Sequence, residues 1–322
     1  MTYRFQFRPY RRRFVRSLTT NHGIWDVREG IILRLTDESG KVGWGEIAPI
    51  SWFGSETLEQ ALDFCGQLPE KITDEIILSI PDELPACQFG FESAWEWGSE
   101  FFSMPNPQSF SGLLPSGEAA LNQWGTLWQR GYRTFKWKIG VYAIANELKI
   151  FESLIHALPA FTKLRLDANG GLTYEEAKLW LWTCDNLKAN AELAVEIEFI
   201  EQPLPVEQFQ GILELSKSYE TAIALDESVA TLKQLAACYQ QGWRGIFVIK
   251  PGIVGSPSRL RKFCHQYKID TVFSSVFETA IARLAALQLA AELSRNNRAI
   301  GFGIDHFFEQ EDTWLQSLWN DL

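Results

Sequence analysis

The hydrophobic and polar positions of this chain follow two rhythms, and the change between them falls near residue 110. Before it, strands come first and helices after. Tyr3 to Tyr10 reads as extended, and Gly30–Leu35 and Val42–Ile47 are apolar runs around the turn Asp37-Glu38-Ser39-Gly40, which predicts a hairpin. A helix opens at Ser55-Glu56-Thr57-Leu58-Glu59, with Ser55 as the expected N-cap and Leu58, Ala61, Leu62 and Cys65 on its inner face. A second helical pattern covers Gln88 to Phe101. Strands followed by helices, without alternation, predict a small α+β domain.

Beyond residue 110 the chain alternates strictly. Short apolar or β-branched runs recur at Gly112–Pro115, Thr134–Ile139, Lys163–Asp167, Glu198–Glu201, Ile223–Asp226, Ile246–Lys250, Thr271–Ser275 and Ala299–Ile304. Amphipathic stretches such as Glu175–Leu187, Thr231–Gln241, Ser256–Tyr267 and Arg283–Ser294 separate them. Eight strands with seven intervening helices make a (β/α)7β TIM-like barrel, one helix short of the eightfold form. An open doubly wound sheet is the alternative, but no Gly-x-Gly-x-x-Gly follows the first strand. The expected organisation is an α+β capping domain over residues 1–108, a catalytic barrel over 109–304, and a C-terminal tail, 305–322, that returns to the cap.

Composition narrows the function classes. The 322 residues are 46% hydrophobic and 22% charged, an ordinary globular balance. A net charge of −10 argues against a nucleic-acid partner, which needs a basic face. No window approaches the ~18 uncharged apolar residues of a membrane span, so no membrane insertion is expected. The Arg-rich N-terminus has no apolar core of a secretory signal. Five widely spaced cysteines, never Cys-x-x-Cys, read as reduced thiols of a cytoplasmic protein. The four histidines are equally scattered, so any metal must be held by oxygen. Oligomeric state is not legible.

In such a barrel the chemistry belongs at the C-terminal strand ends. There the chain reads Lys136-Trp137-Lys138-Ile139, Arg165-Leu166-Asp167-Ala168-Asn169, Glu201-Gln202-Pro203, Asp226-Glu227-Ser228 and Lys250-Pro251. Lys138, Asp167, Glu201, Asp226 and Lys250 are spaced by 29, 34, 25 and 24 residues, about one βα unit each, so they stand at equivalent heights on successive strands. Taken singly, each has an ordinary reading as a helix cap, a salt-bridge partner or a solvated charge; five in register do not. Asp167, Glu201 and Asp226 can converge on one point, a hard oxygen site suited to Mg²⁺, with Mn²⁺ a possible substitute. Lys138 and Lys250 face each other across it. A cation between two lysines suits removal of a proton from carbon next to a carboxylate, and hence a small anionic carboxylate as substrate. Lys136 shares the inner face with Lys138 and is placed to push it toward the neutral amine. Arg165 points inward too, either to substrate carboxylates or as a structural partner of the acidic cluster.

This set resembles the enolase superfamily, specifically its muconate-lactonizing subgroup, and Gly43-Trp44-Gly45-Glu46-Ile47-Ala48-Pro49 resembles the capping-domain hairpin of the o-succinylbenzoate synthase family. The resemblance covers nearly the whole chain. It implies Asp167, Glu201 and Asp226 as Mg²⁺ ligands, Lys138 as the base, and Lys250 as an opposing cation that stabilises the enediolate without acting as a base. The implied reaction is a syn dehydration of 2-succinyl-6-hydroxy-2,4-cyclohexadiene-1-carboxylate to 2-succinylbenzoate, a step of menaquinone or phylloquinone biosynthesis, in which Lys138 returns its proton to the departing hydroxyl. Asn169 and Glu227 are implied partners of that inner set. Phe273-Ser274-Ser275-Val276-Phe277-Glu278 is similar to the family's segment near the substrate, which implies a substrate contact for Ser275.

Three rivals stand beside this. An N-acylamino acid racemase or dipeptide epimerase of the same subgroup would use both lysines as bases; the epimerases carry Asp-x-Asp after strand 8, where this chain has Asp305-His306-Phe307. A non-catalytic barrel would be expected to have lost one of the five charged residues. A phosphoryl-transfer enzyme would show a phosphate-cradling loop, which is absent. By analogy alone, the loop Leu18 to Trp25 is a candidate lid.

Overall fold

The computed structural model describes residues 1–20, 23–97, 109–188, 195–303, 308 and 318. The N-terminal part is a four-stranded antiparallel sheet in the order β3-β2-β1-β4, formed by β1 (Thr2–Thr20), β2 (Gly23–Thr36), β3 (Val42–Ile47) and β4 (Lys71–Thr73). β1 and β2 run well past their apolar cores. They pair from Arg4↔Thr36 to Arg13↔Val27 and, after an irregularity, again from Leu18↔Trp25 to Thr20↔Gly23. The segment expected as a loop is therefore the paired end of a hairpin, with residues 21–22 outside those described. Arginine hid this extension. Tyr10, Arg12 and Phe14 are buried while Arg11, Arg13 and Val15 are exposed, a period of two in which a guanidinium takes an apolar place.

Three helices cover this sheet: α1 (Leu58–Gln67), α2 (Asp74–Leu78) and α3 (Pro85–Glu96). α1 is capped by Thr57 instead of Ser55: Thr57 and Gln60 exchange side-chain-to-backbone bonds in a capping box. Ser55 Oγ accepts the Ile50 N–H instead, at 2.7 Å. α3 begins at Pro85, three residues earlier than the periodicity predicts, because proline is at home in a first helical turn. It lies directly on β3. A Cβ on Gly43 or Gly45 would fall 1.9 or 2.0 Å from a carbonyl oxygen of α3, so the two glycines of Gly-Trp-Gly permit the contact.

The second part is a parallel sheet of seven strands in sequential order: β5 (Ser111–Leu114), β6 (Thr134–Lys138), β7 (Lys163–Asp167), β8 (Glu196–Glu201), β9 (Ile223–Leu225), β10 (Ile246–Ile249) and β11 (Asp270–Phe273). The eighth place is taken by a short segment. Ile300 bridges Phe110 beside β5 and Gly301 bridges Ser274 beside β11, so the curled sheet closes on itself as a (β/α)7β barrel; Ile304 lies outside the described residues. The crossovers are α4 (Ala120–Gln129), α5 (Ile144–Ala157), α6 (Tyr174–Lys188), α7 (Phe209–Ser218), α8 (Leu232–Gln240), the short α9 (Pro251–Val254) with α10 (Pro257–Tyr267), and α11 (Ala280–Leu293). Thr231 and Ser256 cap α8 and α10, the positions at which their patterns begin.

Alternation along each strand sorts the residues into two layers. Trp137 faces outward and packs against Phe151 and Trp180, part of the large apolar layer under the helices. Phe199, Ala224, Ile246, Val248 and Val272 face inward and fill the barrel. The two parts share a core: Ile253 of α9 and Val276 lie in the apolar cluster of the four-stranded sheet. Of the tail expected to return to the cap, Phe308 packs on Phe14, and Leu318 lies in a cluster with Tyr10 and Ile32. The rest of it, with Asp305, His306 and Phe307, is outside the described residues. Among those described, no helix is long and apolar enough to cross a membrane, and all five cysteines are buried and form no disulfide.

Candidate active site

Register sets the site. Lys138 pairs with Asp167 and Asp167 with Glu201, so these three stand in one row across β6, β7 and β8. Glu201 pairs with Ala224, which puts Asp226 two residues further along, just past β9. Lys250 follows β10 directly. All five sit on the inner face above the apolar layer and under a cavity of about 320 Å³. Lys136, Lys138, Asp167, Asn169, Asp226, Glu227 and Lys250 line its floor, while Glu201 lies buried just beneath. Leu18, Trp25, Ile50, Trp52 and Phe53 of the N-terminal part close one side. Ser274 to Phe277, with Gly301 and Gly303, form another wall.

The charges are arranged unevenly. Lys136 Nζ lies 2.7 Å from Asp167 Oδ2 and 2.8 Å from Glu201 Oε1. Burial alone would lower its pKa, but Asp167 and Glu201 outweigh that and raise it, so it is held as an ammonium. Lys136 was expected to bias Lys138; its contacts instead make it the counter-charge of two carboxylates. Lys250 Nζ binds Asp226 Oδ1 and sits 4.0 Å over the Phe53 ring. Lys138 makes no hydrogen bond or ion pair among the described residues and faces the cavity.

Burial raises the pKa of Glu201 against the pull of Lys136, and raises those of Asp226 and Glu227 as well. Carboxylates packed this closely out of water need nearby positive charge to remain ionised. Among the described residues no three of His, Cys, Asp and Glu close into a ready metal cage. The donors nearest one another are all oxygens, with the Lys136 ammonium between two of them. Such a donor set suits a hard divalent cation.

Several expectations are resolved by contacts. Asn169 donates from Nδ2 to Glu227 Oε1 at 3.0 Å, which joins the ends of β7 and β9. Arg165 does not line the cavity and does not touch the acidic cluster. It is 2% exposed inside the barrel, with Nε on Glu198 Oε2 at 2.6 Å and its guanidinium over Phe199. The expected substrate contact is thus replaced by an ion pair deeper in the barrel. Ser275 does line the cavity, but its hydroxyl donates to Glu278 Oε2 at 2.8 Å and accepts the Phe277 N–H at 2.9 Å, so its hydrogen is engaged within the turn.

Sequence reasoning missed two residues here. Gln202, with φ of 39° and fully buried, accepts from the Asp226 and Ser228 N–H groups and donates to Ser228 Oγ and Leu204 O, tying β8 to the end of β9. The motif Glu-Gln-Pro held that signal. Phe53 comes from a loop nearly 200 residues before Lys250, and nothing local marks it.

The closed barrel and its row of lysines and carboxylates define a member of the enolase superfamily. Residues 119–317 match the family model described as enolase C-terminal domain-like, and residues 14–96 match that of the MenC N-terminal domain. The o-succinylbenzoate synthase of Thermosynechococcus vestitus (strain NIES-2133 / IAM M-273 / BP-1) is 44% identical over 94% of this chain and 93% of its own. That of Aliivibrio salmonicida (strain LFI1238) is 31% identical over 89% and 86%. The crystal structure of o-succinylbenzoate synthase from Thermosynechococcus elongatus BP-1, complexed with Mg in its active site, matches with a TM-score of 0.89 at 42% identity, covering 99% of this chain and 100% of that one. The L-Ala-D/L-Glu epimerase of Bacillus subtilis shares the fold, with a TM-score of 0.78 at 21% identity over 95% and 91% of the chains. The chain belongs to the MenC family, that of the o-succinylbenzoate synthases.

Proposed function

We propose that this chain catalyses the magnesium-dependent syn dehydration of 2-succinyl-6-hydroxy-2,4-cyclohexadiene-1-carboxylate to 2-succinylbenzoate, with Lys138 as the base. The observation that carries this is the asymmetry of the two lysines. The Lys138 side chain has no hydrogen bond or ion pair among the described residues and stands in the row of carboxylates facing the cavity, whereas Lys250 is engaged by Asp226 and the Phe53 ring. That suits one proton-transferring group and one fixed cation better than the two equivalent bases of a racemase.

Asp167, Glu201 and Asp226 would hold the magnesium ion: they are buried, offer only oxygen, and stand on successive strand ends. Bound there, the ion supplies positive charge for the substrate carboxylate as electron density builds on it. Lys138 Nζ takes the proton from the carbon next to that carboxylate and then gives it to the hydroxyl leaving the same face, so that one C–H and one C–O bond break and water departs as the ring becomes aromatic. Lys250 holds positive charge on the opposite face. Asn169 and Glu227 brace the ends of β7 and β9. The substrate is a small carboxylate anion, no nucleic acid takes part, and buried cysteines outside any disulfide accord with work in the cytoplasm, in quinone biosynthesis.

The test is turnover by the purified chain, followed as the aromatic absorbance of the product. Activity with magnesium, loss on chelation and recovery with Mg²⁺ or Mn²⁺ are expected. No dehydration alongside rapid racemization of N-acylamino acids would overturn the reading.

A further inference from the structure

The cavity wall formed by Ser275, Val276 and Phe277 has an uncommon shape. Phe277 has φ of 59°, in the left-handed region, where a bulky residue stays only when its surroundings hold it. Within the turn, Glu278 accepts from Ser275 Oγ at 2.8 Å and from the Val276 N–H at 2.6 Å. Those bonds define the turn's form. Its place above the site is set by two buried residues from the four-stranded sheet.

Arg28, 2% exposed, donates from Nε to Val276 O at 3.1 Å, and its other nitrogens bind the carbonyls of Glu29, Ala48 and Pro49. Glu46, fully buried on β3, forms no ion pair among the described residues. Its carboxylate accepts the Thr279 N–H at 3.0 Å, the Thr279 hydroxyl and the Ala282 N–H at 3.3 Å, all at the start of α11. The free N–H groups and dipole of a helix start favour an anion there. Tyr10 adds a fourth donor, its hydroxyl 2.6 Å from Glu46 Oε1. Gly30 stands opposite Tyr10 in register, and a Cβ there would come within 2.7 Å of the Tyr10 ring, so this glycine lets the tyrosine reach across. Thus anchored on both sides, Phe277 meets Phe14 and Trp25 of the β1–β2 hairpin edge-on, with centroids 5.6 and 5.5 Å apart.

We propose that Glu46 and Arg28 are positioning residues: reaching across from the four-stranded sheet, they seat the Ser275–Phe277 turn as a wall of the substrate cavity and so govern substrate affinity separately from proton transfer at Lys138. This rests on the cavity being the substrate site, as proposed above. The wall stands apart from Lys138 and the carboxylates, so its contacts serve substrate and transition state alike and act on KM.

Steady-state kinetics of Glu46→Gln test this. The glutamine keeps the size but turns an NH₂ group toward a ring of donors, which loosens the anchor. KM rises about tenfold while kcat stays within about threefold. Phe277→Ala alone also raises KM, and the double variant is no worse than Phe277→Ala, because Glu46 acts through that ring. Thr279→Val removes a single donor to Glu46; it gives the same pattern more weakly and carries the test if Glu46→Gln does not fold. Effects of Glu46→Gln and Phe277→Ala on KM that multiply, or a lowered Tm with KM unchanged, would overturn the proposal and leave Glu46 a structural residue. A wild-type chain without turnover would instead remove the activity on which it rests.

Discussion

On β7, Arg165 and Asp167 point into the same barrel two residues apart, yet they belong to different charge clusters. The deeper one joins Arg165 to Glu198, Glu198 to Arg298 at 2.8 Å, and Arg298 to Asp270 through two bonds of 3.0 and 2.7 Å. It matches two arginines to two acids and lies level with the inner apolar layer, Arg165 opposite Phe199 and Asp270 opposite Ile246. The upper one sets Asp167, Glu201, Asp226 and Glu227 against three lysines, and it opens on the cavity. One cluster is balanced and lines no part of the cavity; the other has excess negative charge, a Lys138 side chain with no ion pair among the described residues, and room for a ligand. A buried charged residue thus says little about function by itself. What separates the two is access and the sum of the neighbouring charges.

Substitutions break the comparison from either end. The largest effect belongs to the open cluster: Lys138→Ala lowers kcat by about 10³-fold or more, while Tm moves by less than about 2 °C because its side chain has no hydrogen bond or ion pair among the described residues. Retained activity with an intact fold would show that another group takes the proton. In the balanced cluster the effects reverse. Arg165→Met leaves Glu198 buried with half its partners, costs about 3–5 kcal/mol and lowers Tm by on the order of 10 °C, while KM for the substrate stays near that of the wild type. A large rise in KM without loss of stability would return Arg165 to the substrate.

Acid sharpens the same contrast. Burial would raise the Glu198 pKa, but Arg165 and Arg298 overcome it and hold the carboxyl below its ordinary value of 4.5. A lowered pKa contributes stability that is present above the ordinary value and is lost as pH falls through the lower one. Melting curves should therefore fall as the pH drops below about 4.5, and Arg165→Met should flatten that fall. The smallest effect is expected from Ser275→Ala. Its hydroxyl serves the turn, so kcat holds and KM rises by less than about fivefold; a hundredfold loss in kcat would mean that it meets the reacting atoms.

Much of this was legible in the chain. The spacing of Lys138, Asp167, Glu201, Asp226 and Lys250 put each at or just past the end of its strand, three of them in one row, and period-two alternation turned them inward with Trp137 outward. The misreadings have physical causes. Arg12 hid the extension of β1 past Tyr10 because a guanidinium occupied a buried position. The capping box at Thr57 and Gln60 outcompeted Ser55.

Local rules alone therefore determined most of the elements, the barrel, and the identity of the strand-end residues, since βα spacing and side-chain alternation need no knowledge of distant partners. Tertiary structure decided which charge meets which. The register between β7 and β8 skips a residue, Leu164 facing Ile197 but Arg165 facing Phe199, and Arg165 is claimed there by Glu198. Lys136 falls between two carboxylates, and Phe53 and Phe277 reach the cavity from sequence positions far apart. Partner choice depends on distances between strands and between the two parts of the molecule, which no stretch of sequence carries by itself.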